Sequence, residues 1–318
     1  MHTRKVQRIG KETFFVSLPK SWAKAHGIEK GEEVIIDVRD DGSLIIKPTK
    51  MGEKRKEATT INFSEFFDHE LLGKYLLGYD LIRIRSQKRF TYEEKERIER
   101  ILKKLVGMEI VEETQNEVVV QSVLDVSSTH PARLLQRMCI ISSSMYKDIV
   151  DGIIKKDDEI VKLAVSRDDE VDRIYFFSVR VLRTIIQDYW LMSEFSILPM
   201  EVMDYRLVSE KLELIGDISV DMGTRILEAN EEMFNEISKS LGKLPELVHN
   251  VSELQNEALD IFLNKRAEKI EEKLREYESA LGKLNEIAEG KEKEKVGFIA
   301  FDISQILATI KDIIDLSF

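Results

Sequence analysis

The stretch EKLELIGDISVDMGTRI, residues 210–226, decides how the larger part of this chain folds. Its apolar residues recur at the three- and four-residue spacing of an amphipathic helix. Glu213 and Asp217 lie four residues apart, on one face of that helix, and Gly216 lies between them. A glycine inside a helix costs about 1 kcal/mol relative to alanine. We therefore expect Gly216 to allow another helix to approach closely at this point.

The region around this stretch is also predicted to be helical. Six segments between Pro131 and Phe318 have helical periodicity, and polar or proline-containing breaks separate them. They are residues 131–156, 158–192, 199–240, 244–263, 265–288 and 292–316. Two sets of three long helices are typical of a bundle, so we assign residues 130–318 to one all-α domain.

A second pair of carboxylates, Asp168 and Asp172, lies in the segment 158–192. On a helical wheel both fall within an apolar stripe that faces the core. The stripe contains Val161, Val165, Phe176, Val179, Leu182 and Ile186. Carboxylates at such positions do not stay ionised without a compensating partner.

Two kinds of partner are open for these acids. Hard cations prefer carboxylate oxygens, and they would compensate both pairs if the two helices were neighbours. Ion pairs with nearby arginines are the alternative. The candidate arginines are Arg167, Arg173 and Arg206. Acids four residues apart are also common on solvated helices, so the spacing alone does not decide between these explanations.

Two stretches resemble the PhoU family of phosphate-uptake regulators. YRLVSEKLELIGDISVDMG, residues 205–223, is similar to the family signature, and RDDEVDRIYF, residues 167–176, is similar to its second helix. The resemblance implies a tandem three-helix bundle that binds a multinuclear iron or zinc cluster. The ligands that it implies are Asp168, Asp172, Glu213 and Asp217.

The second half of the bundle departs from the family pattern. Its equivalent of the signature is FDISQILATIKDI, residues 301–313. Ser304 and Ala308 stand there at the two acidic positions. We therefore expect at most one metal cluster per chain.

Residues 59–125 are predicted to form a domain of their own. Strand-like and helical segments alternate there in the order β-α-β-α-β-β, which indicates a small α/β sandwich of ferredoxin-like type. No ligand-binding motif is found in this region. A packing or dimerisation module is the plain interpretation, since a fold does not define a function.

Residues 1–50 are predicted to be rich in β-structure. The strands RKVQRIG and TFFVSLP precede a short helix, PKSWAKAHG. EEVIIDV and SLIIKP then flank DDGS, which is typical of a β-hairpin. The charged stretch 51–58 is interpreted as a linker. Because three domains are predicted, at 1–50, 59–125 and 130–318, the chain is predicted to be a multidomain α+β protein.

The N-terminal region is basic although the chain is acidic. Residues 1–56 contain 13 Lys/Arg against 8 Asp/Glu, whereas the whole chain has a net charge of −11. This asymmetry favours an anionic partner at the N-terminus, and a merely solvated basic face is the alternative.

Residues 3–48 resemble the AbrB/SpoVT family of DNA-binding domains almost from end to end. The resemblance implies a swapped-hairpin β-barrel shared by two chains, and therefore a homodimer. The DNA-facing positions that it implies are Arg4, Lys5, Arg8, Lys11 and Lys24. Two features depart from the family: the turn after Gly10 is longer, and Ala23 stands where a basic residue is usual.

Other features limit the environment. The single cysteine, Cys139, allows no intramolecular disulfide, and the N-terminus lacks the apolar core of a signal peptide. No run of 18 uninterrupted apolar residues is present, so we expect no membrane-spanning helix. These features favour a cytoplasmic protein.

The sequence thus predicts a regulator of phosphate homeostasis that binds DNA and metal. The alternative is an adaptor that does not bind DNA, contacts the ATPase subunit of a phosphate transporter or a signalling protein, and uses its N-terminal domain only to dimerise. An enzyme is not expected, because no glycine-rich phosphate loop or nucleophile motif is found and the histidines are scattered. Phosphoester hydrolysis at a pair of metals is the form that catalysis would take.

Overall fold

A computed structural model describes residues 3–39, 42–49, 57–290 and 293–317. It divides the chain into two compact units, Met1–Lys56 and Glu57–Phe318. The predicted linker at 51–58 lies outside the described residues up to position 56, as do the first two residues of the predicted DDGS turn.

The first unit contains two hairpins and a short helix. Its elements are β1 (Gln7–Ile9), β2 (Thr13–Phe15), α1 (Lys20–Ala25), β3 (Val34–Val38) and β4 (Leu44–Pro48). β1 pairs with β2 and β3 pairs with β4, each pair antiparallel and in a sheet of its own. The predicted strands and helix are therefore present in the predicted order.

The first unit has almost no core of its own. Among its described residues, Pro48 alone is buried. Large apolar side chains of both hairpins are exposed, with Phe14 at 67% and Val38 at 69% of full exposure. The other examples are Val6, Ile9, Ile36 and Leu44. An exposed apolar surface of this extent indicates an interaction face.

The second unit begins with a part that we call the α/β part. Its elements are β5 (Ala58–Asn62), α2 (Phe67–Leu76), β6 (Leu81–Arg85), α3 (Tyr92–Lys103), β7 (Met108–Glu113) and β8 (Glu117–Ser122). The strands form one sheet in the order β5-β6-β8-β7, in which β5 and β6 are parallel and the other pairs are antiparallel. The predicted element order is confirmed. The ferredoxin-like type is wrong, because that fold splits its β-α-β units and here β5 and β6 are direct neighbours.

Nine α-helices follow among the described residues. They are α4 (Pro131–Lys155), α5 (Asp158–Val165), α6 (Asp168–Gln187), α7 (Tyr189–Phe195), α8 (Pro199–Glu228), α9 (Glu231–Ser240), α10 (Leu244–Asn264), α11 (Ile270–Ala288) and α12 (Lys293–Asp315). Helices α4, α6 and α8 pack on one another, and so do α10, α11 and α12. The long helices therefore form two sets of three.

Two of the predicted helices are interrupted. The segment 158–192 is divided among α5, α6 and α7, and the segment 199–240 is divided between α8 and α9. Asp188 accepts a hydrogen bond from the Trp190 amide at the start of α7, and Asn230 does the same for the Met233 amide in α9. These caps satisfy free N–H groups and so favour a new helix over a continued one.

The α/β part and the helices share a hydrophobic core. Phe177, Val181 and Ile185 of α6 are buried with Phe67 and Ile82 of the α/β part. Residues 59–125, predicted as a separate domain, thus lie in the same compact unit as the helices. Helix α6 therefore has one end in the bundle and one end against the sheet.

Candidate metal centre

Helices α6 and α8 approach closely at Gly216, as the sequence predicted. A Cβ atom at this position would lie 3.3 Å from Asp168 Oδ1 and 3.4 Å from Val171 Cγ1. Any side chain here would press on the Asp168 carboxylate. The glycine therefore allows α8 to pack directly against the start of α6, which confirms the prediction.

The four predicted ligands act on one another electrostatically. Burial raises the pKa of Glu213 to about 7, and the charges of Asp217, Asp172 and Asp168 add to this effect. Burial and the charges of Asp172 and Asp217 raise the pKa of Asp168 to about 6. The pKa of Asp217 is raised as well, by burial and then by Asp172 and Asp221. We call Asp168, Asp172, Glu213 and Asp217 the acidic cluster.

Asp168 lies at the first position of α6 and not in the middle of a longer helix. The expectation of a continuous helix was wrong here because acids in a first turn are favoured by the positive end of the helix dipole. Its Oδ1 atom is buried and has no hydrogen-bond partner among the described residues. A buried polar atom without a partner costs about 1–3 kcal/mol, and more when it is charged. An oxygen-binding cation would satisfy it.

The alternative of ion pairs with nearby arginines does not hold for the acidic cluster among the described residues. Arg167 binds Asp148 at 2.5 Å, and Arg206 binds Glu210 at 3.2 Å. Within the described ranges, Arg173 forms no ion pair. The arginines flank the acidic cluster in sequence, but none of them neutralises it.

The cation that does contact the acidic cluster is Lys104, which follows α3 in the α/β part. Its Nζ lies 3.3 Å from Asp172 Oδ2 and 3.6 Å from Asp169 Oδ1. Partial burial opposes the charged form of this lysine, but the charges and hydrogen bonds of Asp172 and Asp169 together outweigh burial and raise the pKa of Lys104. Sequence reasoning missed this residue, because it lies 68 positions from Asp172 and belongs to no motif.

The carboxylates of the acidic cluster are not arranged with metal-ligand geometry. Among the described residues, no group of three or more His, Cys, Asp or Glu side chains is already placed to hold a metal ion. Metal–oxygen distances in carboxylate sites are about 2.0–2.2 Å. The side chains would therefore have to turn toward a shared ion.

The second half of the bundle is different. Asp302 on α12 is buried and pairs with Arg225 on α8, while Asp312 lies 2.6 Å from the Nζ of Lys211. Ser304, at one of the two lost acidic positions, donates a hydrogen bond to the Phe301 carbonyl at 2.6 Å. Each of these two α12 acids thus has its own cation.

The five basic residues predicted to face DNA lie in the first unit, and all are exposed. They are Arg4 and Lys5 before β1, Arg8 within it, Lys11 in the turn to β2, and Lys24 on α1. The Arg8 guanidinium donates to the Lys11 carbonyl and lies 5.9 Å from the centroid of the Phe14 ring. The structure thus brings Arg8 and Lys11 together.

The chain thus combines a helical bundle, in which two neighbouring helices each carry a pair of acids, with a small β-rich unit. Residues 135–226 match the model of the PhoU domain, and residues 7–54 match the model of the antidote-toxin recognition domain MazE of bacterial antitoxins. The chain thus contains a region similar to the PhoU domain, which is preceded by a region similar to the AbrB-like antitoxin domains.

The PhoU match extends from α4 to α8 and includes all four residues of the acidic cluster. No curated protein matches the chain. Within the described residues, no helix is both long enough and apolar enough to cross a membrane.

Proposed function

We propose that this protein regulates phosphate homeostasis by joining a metal-binding helical bundle to a DNA-binding dimer. The observation that carries the proposal is the acidic cluster, in which the carboxylates raise one another's pKa and Asp168 Oδ1 is buried with no partner among the described residues. The PhoU domain supports the link to phosphate. The AbrB-like domain supports a role in dimerisation or DNA binding.

The chemistry of the acidic cluster supports a bound metal. Carboxylate oxygens suit hard cations, and iron or zinc is the expected occupant, with no more than one cluster per chain. A bound cation would offset the mutual repulsion of the carboxylates, which together with burial raises their pKa, and it would release protons from Glu213 and Asp168 on binding. Phosphate would then be attracted to the bound metal as an anion.

The first unit supports a homodimer. Its two hairpins expose apolar side chains that a single unit of this size is too small to bury. A swapped-hairpin barrel, in which the hairpins of two chains pack together, would cover them. Dimerisation would also double the number of exposed basic side chains available to DNA phosphates.

The adaptor remains the second candidate function, and the exposed strands favour it specifically. Dimerisation alone would explain why the apolar residues of β1 to β4 are exposed in one chain. A second chain would cover these residues, and no contact with DNA is required for this. In that case the protein would act by contacting the ATPase subunit of a phosphate transporter or a signalling protein. We propose binding and not catalysis in both cases, and a phosphatase assay with Mn²⁺ or Mg²⁺ is expected to show no turnover.

DNA titration across salt concentrations separates the two functions. We expect binding of promoter fragments that weakens steeply with salt, because each phosphate contact contributes about −0.9 to the slope of log K against log[salt]. The variant Arg8→Ala with Lys11→Ala should reduce that slope by about two units. Lys30→Ala, at an exposed position outside the predicted set, is the matched control. No binding at low salt would favour the adaptor.

A further inference from the structure

The contact between Lys104 and the acidic cluster joins two parts of the second unit. Lys104 directly follows α3 as its C-cap, and its backbone N–H donates to the Ile101 carbonyl at 3.0 Å. Its ammonium group reaches across to α6, where it lies 3.3 Å from Asp172 Oδ2 and 3.6 Å from Asp169 Oδ1. The α/β part therefore supplies the positive charge at the proposed metal centre.

The α/β part is attached to α6 at a second, different point. Arg180 is 1% exposed, and its guanidinium donates to the carbonyls of Tyr75 at 2.7 Å and Tyr79 at 3.0 Å and to Asp80 Oδ1 at 2.9 Å. Asp172 and Arg180 are eight residues apart, about 12 Å along the helix. This attachment is thus buried and held by three hydrogen bonds, although Arg180 Nε has no partner among the described residues.

The Lys104 attachment is the weaker of the two. The lysine side chain is 41% exposed, and exposed ion pairs contribute about 0–1 kcal/mol. The two attachments are connected within the α/β part, because the Tyr75 hydroxyl donates to the Val106 carbonyl at 3.0 Å, two residues after Lys104. Because the Lys104 ion pair is exposed and weak, it can open while the buried Arg180 contact stays in place.

We propose that Lys104 is a built-in counter-ion that metal displaces, so that the α/β part responds to metal occupancy of the acidic cluster. The inference rests on the proposed metal-binding function. When Asp172 turns toward a metal ion, it gives up its contact with Lys104, and the ammonium group is repelled by the bound cation. The segment 104–110 then loosens, while Arg180 keeps the sheet on α6.

Mn²⁺ binding to the full-length protein tests this, with free Mn²⁺ counted by electron paramagnetic resonance. Lys104→Gln removes the competing charge, and repulsion of a divalent ion at roughly 6 Å in a water-like dielectric corresponds to about tenfold tighter binding. Lys104→Arg keeps the charge and should bind Mn²⁺ no more tightly than the wild type. Lys103→Gln is the matched control, because Lys103 is exposed and forms no ion pair in the described parts of the chain.

Hydrogen exchange supplies a readout independent of affinity. In the wild type, Mn²⁺ should speed amide exchange in residues 104–110 and leave residues 75–80 unchanged. In Lys104→Gln, exchange in 104–110 should already be fast without metal. Urea unfolding close to that of the wild type would show that the variant is folded.

The outcomes separate the two proposals. Mn²⁺ binding by the wild type with unchanged affinity in Lys104→Gln, or with no change of exchange in 104–110, would overturn the role of Lys104 alone. Failure of every variant to bind Mn²⁺ would overturn the metal-binding function, and the counter-ion with it.

Discussion

Helix α8 packs against carboxylates of α6 on one side and of α12 on the other, and the two groups of carboxylates differ in their ion pairs. Toward α6, four acids face one half-exposed lysine, and a buried oxygen of Asp168 has no partner among the described residues. Toward α12, Asp302 meets Arg225 and Asp312 meets Lys211. An acid that only holds helices together carries its own cation. On the α6 side, Asp172 pairs with Lys104, and the other three acids of the acidic cluster form no ion pair in the described parts of the chain, as expected of a site for a cation from solution.

The largest expected effect is the loss of metal from the α6 side. Asp172→Asn with Asp217→Asn removes one carboxylate from each helix, and the double variant should retain no bound metal while keeping its helical content. Elemental analysis of the purified protein and circular dichroism measure the two properties. Asp312→Asn, on the α12 side, is the matched control and should retain its metal. Unchanged metal content in the double variant would show that the centre lies elsewhere.

The next largest effect is expected on the α12 side, where the ion pair is structural. Arg225→Met leaves Asp302, whose side chain is 6% exposed, buried without its cation. Breaking a buried pair costs about 3–5 kcal/mol, and the partial exposure of Arg225 reduces this to roughly 2 kcal/mol. Urea unfolding followed by circular dichroism measures the loss.

A matched change on the α6 side sharpens this comparison. Lys104→Met should cost less than about 1 kcal/mol, because Lys104 is half exposed and its loss leaves Asp172 accessible to solvent. Equal losses in Arg225→Met and Lys104→Met would mean that the two sides of α8 do not differ as described.

Two helical glycines give a smaller contrast. Gly282 in α11 has open space around it, so Gly282→Ala should stabilise the protein by about 0.5–1 kcal/mol through helix propensity. Gly216→Ala should show none of this gain, because its Cβ would lie 3.3 Å from Asp168 Oδ1. Gly216→Ala should also weaken metal binding, which calorimetry can measure. A full gain in stability with normal metal binding would show that the close approach has no role in the site.

Local patterns predicted the elements, whereas contacts between distant segments could not be predicted. The spacing of Glu213, Gly216 and Asp217 predicted a close helix pair, and the structure confirms the close approach at Gly216. Gly223 is packed more tightly, since a Cβ there would lie 2.5 Å from Val165 Cγ2, but it was not identified from the sequence.

Ion-pair partners were the least predictable part of the site. The arginines next to the acids in sequence bind other carboxylates, and the cation at the acidic cluster comes from the α/β part. A long charged side chain reaches several ångströms from its own helix, so sequence neighbourhood says little about its partner. The strand order was missed for a related reason, because periodicity predicts strands and not which of them pair.

The smallest expected effect is a pH dependence of stability that belongs to the metal-free protein. Folding raises the pKa of Glu213 from 4.5 to about 7 and that of Asp168 from 3.8 to about 6. An acid with a raised pKa stabilises the folded state while it is protonated. Its contribution is complete below the pKa of the unfolded chain and is lost as the pH rises through the folded pKa. The metal-free protein should therefore become less stable between pH 5 and about pH 7.

Thermal unfolding in EDTA at several pH values measures this, and Glu213→Gln provides the comparison. The amide cannot ionise, so the variant should lose less stability than the wild type over the same range. Both groups are partly exposed and screened by solvent, so the difference should be on the order of 1 kcal/mol. Metal should reverse the sign, because bound metal favours the ionised carboxylates and affinity rises with pH. Gly282→Ala, which changes no titratable group and leaves Glu213 intact, should follow the pH profile of the wild type.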